Sequence, residues 1–329
     1  MHGTWRLPAQ YNTKMDDSEN LLFLSARRLE ALEITTDDVI SSIEHVIRGC
    51  SHQQAWNAPK AVITPPDGRY MMATLSAAND PPFLAVKSLV LNPRNSERGL
   101  SDINSLVTLL DSDTGLPLAV LDGNWITAVR TAGLSAVAAK RLARANSSVV
   151  AFIGCGVQAR SHLQAFASLF PIQEVRVFGR GDQNKDAFCR LAEEFGYVAV
   201  ACSDARSAVE SADLIVSSVT LSRDIVPFID AGWLKSGVFA SVTDLAIPWI
   251  DKSMSAFDRI IIDDKKQEDQ MPDSLVESAL VAGDLTALVN GDVLGRSSDD
   301  QKNAFVFRGL ALGDLAVAGL AYRRATNQS

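Results

Sequence analysis

The sequence predicts an α/β protein: a Rossmann-type, doubly wound parallel sheet with a second, discontinuous α+β domain beside it. Three observations carry this reading. Five apolar residues, Val149 to Ile153, run into the turn Gly154-x-Gly156-x-x-Ala159 and on into a helical pattern. Beyond that turn, short apolar runs alternate with helical stretches, the rhythm of strand–helix–strand units. Before it, short runs are separated by turn residues instead, the rhythm of hairpins.

Taken in order, residues 1–20 are polar and irregular and read as a loose N-terminal extension. Leu21 to Cys50 carries two helical patterns. Strands are expected at Ala61–Thr64, Tyr70–Thr74, Leu84–Val90, Ser105–Leu110 and Leu118–Leu121, with Asp67-Gly68 and Asp113-Thr114-Gly115 as hairpin turns. A helix from Thr127 to Ala143 leads into the glycine turn. Glu174–Phe178, Leu214–Val219, Val238–Val242 and Arg259–Ile262 read as buried parallel strands. The alanine-rich segment Phe305–Arg324 reads as a closing helix that packs back on the first domain. The expected division is therefore 21–130 plus 305–329 for one domain and 131–304 for the dinucleotide-type domain.

Composition narrows the function. At 329 residues the chain is long for one core, and 47% hydrophobic with 21% charged residues is ordinary for a soluble globular protein. A net charge of −8 without a Lys/Arg-rich block argues against nucleic acid and for small-molecule partners. No run approaches the roughly 18 apolar residues of a bilayer span, and the start lacks a signal-peptide pattern, so no membrane partner and a cytoplasmic location are expected. Cys50, Cys155, Cys189 and Cys202 show no C-x-x-C spacing. His2, His45, His52 and His162 do not cluster with carboxylates, so no metal is expected.

The glycine turn points to a dinucleotide. Gly154 permits the reversal, Gly156 lets a pyrophosphate approach the main chain, and Ala159 allows close helix packing. The free N–H groups of the first helical turn, Val157 to Ala159, face the phosphates, where the helix dipole favours negative charge. Cofactor choice is read at the tip of the next strand, Val177-Phe178-Gly179-Arg180-Gly181-Asp182. Arg180 stands where an arginine accepts a 2′-phosphate, which predicts NADPH; NADH is the alternative, through Asp182.

Ala85-Val86-Lys87, Asp111 to Pro117, Ile126-Thr127-Ala128-Val129-Arg130-Thr131-Ala132, Gly154-x-Gly156-x-Gln158-Ala159 and Gly309-x-Ala311-x-x-Asp314 together resemble the ornithine cyclodeaminase/mu-crystallin family. The resemblance covers nearly the whole chain after residue 21. It implies a homodimer whose discontinuous first domain forms the interface, a substrate cleft beside a nicotinamide, and amino- or imino-acid chemistry. It also implies that Arg130, Thr131, Gln158 and Thr220 lie at the cofactor.

Such chemistry needs a substrate carboxylate held in one orientation, and a planar guanidinium does this bidentately; Arg130 is the candidate. Lys87 sits in an apolar strand, where a charge is costly unless it faces a functional cleft. The resemblance gives it the carboxylate or the proton at the imine centre. Lys60, after Pro59, stands where relatives carry an arginine, and a lysine supplies the charge without the fork. Asp244 ends a strand at the carboxyl edge where ligands bind, and the resemblance suggests an acid/base role there, although the surrounding segment departs from the cyclodeaminase pattern. A helix cap is the alternative for Asp244.

The expected activity is NAD(P)H-dependent reduction of a small ketimine such as 1-pyrroline-2-carboxylate. The alternatives are an ornithine cyclodeaminase or alanine dehydrogenase-like enzyme, and a non-catalytic NADPH-binding protein.

Overall fold

The computed structural model describes residues 21–220 and 224–327; the segment expected as a loose extension, 1–20, lies outside them. The chain begins with β1 (Leu22–Leu24), α1 (Ala26–Glu30) and α2 (Thr36–Ser51). Thr35 and Asp38 cap α2 reciprocally, side chain to backbone in both directions. The strands β2 (Ala55–Asn57), β3 (Ala61–Ile63), β4 (Tyr70–Asn79), β5 (Pro82–Leu91), β6 (Ile103–Asp111) and β7 (Pro117–Asp122) follow.

These form one seven-stranded sheet, ordered β1-β7-β6-β5-β4-β2, with β3 also on β4. All its pairings are antiparallel except β1 on β7. Both expected hairpin turns join antiparallel neighbours. Alternation along the strands divides the sheet's faces. Met72, Thr74, Ser76 and Ala78 on β4 and Phe83, Ala85, Lys87 and Leu89 on β5 are buried, and Lys87 pairs with Thr74. The opposite face exposes Phe23, Trp56, Ile63, Met71, Leu75 and Leu106.

Helix α3 (Gly123–Leu142) connects the two halves of the molecule. It starts four residues before the expected position because the Asp122 side chain accepts from Trp125 N at 2.9 Å, an N-cap that the apolar periodicity does not display. Then come β8 (Val149–Ile153), α4 (Val157–Ala167), β9 (Glu174–Phe178), α5 (Asp182–Glu194), β10 (Val198–Ala201), α6 (Ala205–Val209), β11 (Leu214–Ser217), β12 (Phe239–Val242) and β13 (Arg259–Ile262). The chain closes with α7 (Lys265–Glu268), β14 (Val281–Asp284), α8 (Leu285–Asn290), β15 (Asn303–Val306) and α9 (Ala311–Ala325).

The second sheet is entirely parallel, ordered β10-β9-β8-β11-β12-β15-β13-β14. From β8 the chain winds first toward β10 and then back through β11, so the winding reverses between β8 and β11. That switch point is where open α/β sheets bind ligands, and the glycine turn lies on it.

One expectation is corrected. Phe305 and Val306 belong to β15, not to the closing helix, which begins at Ala311; the boundary drawn at residue 305 cuts through a strand. All four β15 residues are buried between β12 and β13, and a strand covered on both faces reads as a continuous apolar run, as a core helix does. Among the described residues no helix is long and apolar enough to cross a membrane.

Candidate active site

The first part of the site is built on the turn after β8. Gly154 has φ +99° and its N–H donates to Phe178 O at 2.8 Å; a Cβ there would lie 2.6 Å from Ser218 O, so only glycine fits. Gly156 is different. It caps α4 at φ −88°, and a Cβ would meet no atom within 4 Å. Nothing in the chain demands a glycine at that point, so the freed space serves something other than the chain. It opens on a cavity of about 590 Å³ lined by Gly154, Gly156, Phe178, Arg180, Ser218 and Thr220, among others.

Ser218 Oγ and Gln158 Oε1 are buried without a hydrogen-bond partner, which suits a polar group supplied from outside. Ala159 is fully buried and lets α4 sit close to the sheet. Arg180 lines the cavity beyond the tip of β9, whereas Asp182 is exposed and pairs with Lys185 at 2.9 Å. These residues fit a dinucleotide: glycine backbone for the pyrophosphate, the α4 N-terminus for its charge, and Arg180 for a 2′-phosphate.

Arg130, Thr131, Val157, Gln158 and Ala159, also expected at the cofactor, are not part of this cavity's lining. Val157 is 64% exposed and borders a different cavity, between α1, α3 and α4. Thr131 is buried inside α3, where its carbonyl accepts from Ser135 Oγ, and it does not line the 590 Å³ cavity.

The second part is a buried charge cluster on the covered face of the antiparallel sheet. Lys87 Nζ from β5 donates to Asp314 Oδ1 from α9 at 2.9 Å and to Thr127 Oγ1 from α3 at 3.4 Å. Arg130 Nε lies 3.1 Å from the same Asp314 oxygen but is misaligned for a hydrogen bond, and neither Nε nor Nη1 has an acceptor. Lys87, Asp314 and Arg130 are 1%, 2% and 7% exposed. Asp314 is the one carboxylate paired with both Lys87 and Arg130, and Arg130 Nη1 is left without an acceptor, which points to an anion supplied from outside.

Gly309, at φ +106°, marks where that anion fits: a Cβ on it would lie 3.0 Å from Arg130 Nη1 and 3.3 Å from Lys60 Nζ. Arg130 and Lys60 thus converge on one small space above a residue without a side chain. Burial, reinforced by Arg130, lowers the Lys87 ammonium to about 8 despite Asp314. Burial lowers Lys60 similarly to about 8, with Asp263 opposing the fall and Arg130 and Lys87 adding to it. For Asp314, burial favours the neutral form, but Lys87 and Arg130 beside it hold the carboxyl below its ordinary value.

Asp244 stands apart from this cluster. Its Oδ1 accepts from Ser217 Oγ at 3.1 Å and its Oδ2 from Val219 N at 3.0 Å, while Trp249 Nε1 donates to Ser217 Oγ at 2.9 Å. Burial pushes its carboxyl up to about 6 against those hydrogen bonds. No helix begins there, so the capping alternative does not apply. Its contacts tie the end of β11, which carries Thr220 beyond it, to the turn after β12.

Lys60, Lys87 and Arg130, the residues expected at a substrate carboxylate, come together, whereas Asp314 and Asp263 carry no expected role. Asp314 had a signal: it is the one charged residue in the otherwise apolar stretch Ala311–Tyr322, where a buried carboxylate needs a cationic partner. Asp263 follows β13 at the carboxyl edge of the parallel sheet, the same kind of position that drew attention to Asp244.

Comparison with known proteins agrees with this architecture. The ketimine reductase mu-crystallin of Mus musculus is 31% identical over 256 residues, covering 77% of this chain and 79% of that protein. The Thermococcus litoralis Delta(1)-pyrroline-2-carboxylate reductase, solved with NADH and L-proline, superimposes with a TM-score of 0.86 at 27% identity, covering 93% of this chain and 98% of the other. An archaeal alanine dehydrogenase dimer with bound NAD gives 0.83 at 27% identity, covering 94% and 97%. The sequence profile that matches residues 20–329 is that of the ornithine cyclodeaminase/mu-crystallin family, and the chain belongs to it.

Proposed function

We propose that the protein is an NADPH-dependent reductase of a small cyclic 2-imino acid, of which 1-pyrroline-2-carboxylate is the model. The observation that carries this reading is the buried guanidinium edge of Arg130, whose Nη1 and Nη2 face the space at Gly309 together with Lys60 Nζ, a place that fits a carboxylate. A nicotinamide dinucleotide held by Gly154, Gly156, Gln158, Arg180 and Thr220 supplies the hydride.

The chain's own groups do the rest. Arg130 and Lys60 hold the carboxylate and so fix the orientation of the adjacent C=N carbon. Lys87, lowered to about 8, is a proton donor within the range that general acids use, and it serves the imine nitrogen. Asp314 keeps Lys87 charged and fixed between strand and helix. Asp244 supports the site indirectly through the end of β11. The relative solved with L-proline, the reduced product of that imine, supports the substrate class.

The working form is a homodimer, with the antiparallel sheet and α9 as the substrate and dimerisation domain. The exposed apolar face bearing Phe23, Trp56, Ile63, Met71, Leu75 and Leu106 is the surface that a second copy covers, since contiguous apolar area on this scale mostly marks an interface. The archaeal alanine dehydrogenase relative is itself a dimer. NADPH consumption with 1-pyrroline-2-carboxylate tests the activity; ornithine-dependent ammonia release would instead support a cyclodeaminase, and cofactor binding without either would support a binding protein.

A further inference from the structure

Building on the carboxylate site proposed above, we propose that Asp263 is a positioning residue for that site, holding Lys60 in place as its second cationic arm through the peptide group between Arg308 and Gly309. Both ends of this one peptide are gripped. Its carbonyl, on Arg308, accepts from Lys60 Nζ, and its N–H, on Gly309, donates to Asp263 Oδ2 at 2.8 Å. An ammonium at the oxygen and a carboxylate at the hydrogen both follow the peptide dipole, so each grip strengthens the other. Lys60 precedes β3 on the antiparallel sheet, whereas Asp263 follows β13 on the parallel sheet. The gripped peptide therefore couples the two sheets at the point where Gly309 leaves room beside Arg130.

Neighbouring links brace the same junction: Asn57 Nδ2 donates to Asp264 Oδ2 at 2.8 Å, and Arg308 Nε to Glu268 Oε2 at 2.6 Å. Asp263 is 1% exposed, and its cost of burial is offset by the N–H groups of this junction and the charge of Lys60. The charged groups facing Lys60 are Asp263 after β13, Arg130 on α3, Lys87 on β5 and Asp314 on α9. Of the two carboxylates, Asp263 has the stronger hold on it.

The sign of the effect follows. Lys60 loses its charge as pH rises through about 8, and carboxylate affinity falls with it. Removing the Asp263 charge moves that loss to lower pH. The test is the affinity of the purified chain, with NADP+ present, for pyrrole-2-carboxylate. This planar ring carboxylate keeps one charge between about pH 6 and pH 10. Titration calorimetry across that range reads the alkaline limb.

Asp263→Asn keeps an acceptor for Gly309 N–H and is expected to shift the limb down by about one pH unit. At about pH 8.5 such a shift raises the apparent Kd roughly eightfold. Asp263→Glu restores the wild-type profile. Lys60→Arg removes the Lys60 contribution to the limb, since a guanidinium does not titrate, and adding Asp263→Asn to it shifts nothing further. Superimposable wild-type and Asp263→Asn profiles overturn the proposal, as does an undiminished shift in the Lys60→Arg background or a wild-type chain that does not bind the probe. Should Asp263→Asn not fold, Lys60→Gln decides, with weak binding at every pH expected and wild-type affinity overturning the role. Probe binding with this profile but no turnover of any imino acid sinks the reductase reading alone.

Discussion

Arg130→Lys isolates what the guanidinium fork contributes. The substitution keeps a positive charge near Asp314, so the charge count of the cluster is unchanged. What it removes is the guanidinium edge, Nη1 and Nη2, that faces the space at Gly309. If both donate to a substrate carboxylate, each is a charge-assisted hydrogen bond worth about 1.5–3 kcal/mol. An ammonium on a flexible stem replaces at most one of them. The loss is then about one such bond, or roughly a 10- to 150-fold fall in kcat/KM.

Because the carboxylate is held before and during hydride transfer, most of the loss falls on KM, with a smaller fall in kcat from poorer orientation. The fold should tolerate the change, since Asp314 keeps its 2.9 Å bond to Lys87. The assay is initial-rate NADPH oxidation over a range of 1-pyrroline-2-carboxylate concentrations, with the melting temperature measured alongside. A kcat/KM within about twofold of the wild type at unchanged stability refutes the reasoning, because the guanidinium edge would then not face the substrate.

Other perturbations separate structure from binding. Asp314→Asn leaves Lys87 and Arg130 buried without their carboxylate and should cost about 3–5 kcal/mol, read as a melting temperature lower by roughly 4–7 °C. Gly154→Ala meets Ser218 O and a positive φ, so about 2–5 kcal/mol of stability should be lost. Gly156→Ala meets nothing, so its melting temperature should stay put while the NADPH Kd rises by about tenfold or more; equal behaviour of the two glycine variants would contradict the assignment of that space. Arg180→Ala should weaken NADPH by about 10- to 150-fold and leave NADH nearly unchanged, as measured by cofactor fluorescence titration. Leu75→Glu places a charge on the apolar sheet face, and light scattering should find a dimer for the wild type and a monomer for the variant.

What could be read from the residues follows from how local each signal is. The β8–α4 turn was legible because the strand, both glycines and the helical pattern after them lie within a few residues of one another. Lys87 was legible because a charge on the buried face of an alternating strand is a local contradiction. β15 was not, since Ala304–Val306 is a short apolar run and only its place between β12 and β13 makes it a strand. The start of α3 was missed because a cap depends on one side chain, Asp122, and not on periodicity.

The grip on the Arg308–Gly309 peptide was out of reach for the same reason: its two partners, Lys60 and Asp263, lie on different sheets. Asp244 lies at the sheet edge, but its hydrogen-bond partners Ser217 and Val219 come from another strand end, which no local pattern displays. Asp314 was the readable residue left unread. A single carboxylate in an apolar helix asks for a cation, and two were already in hand.

The central claim is that the buried cations serve a carboxylate beside a hydride donor. It is tested most directly by following NADPH absorbance with 1-pyrroline-2-carboxylate in the wild type, Lys87→Ala and Arg130→Ala. Oxidation by the wild type, abolished in both variants while they still bind NADPH, is the expected result. Oxidation that persists in both variants, or none in a wild type that binds NADPH, would contradict it.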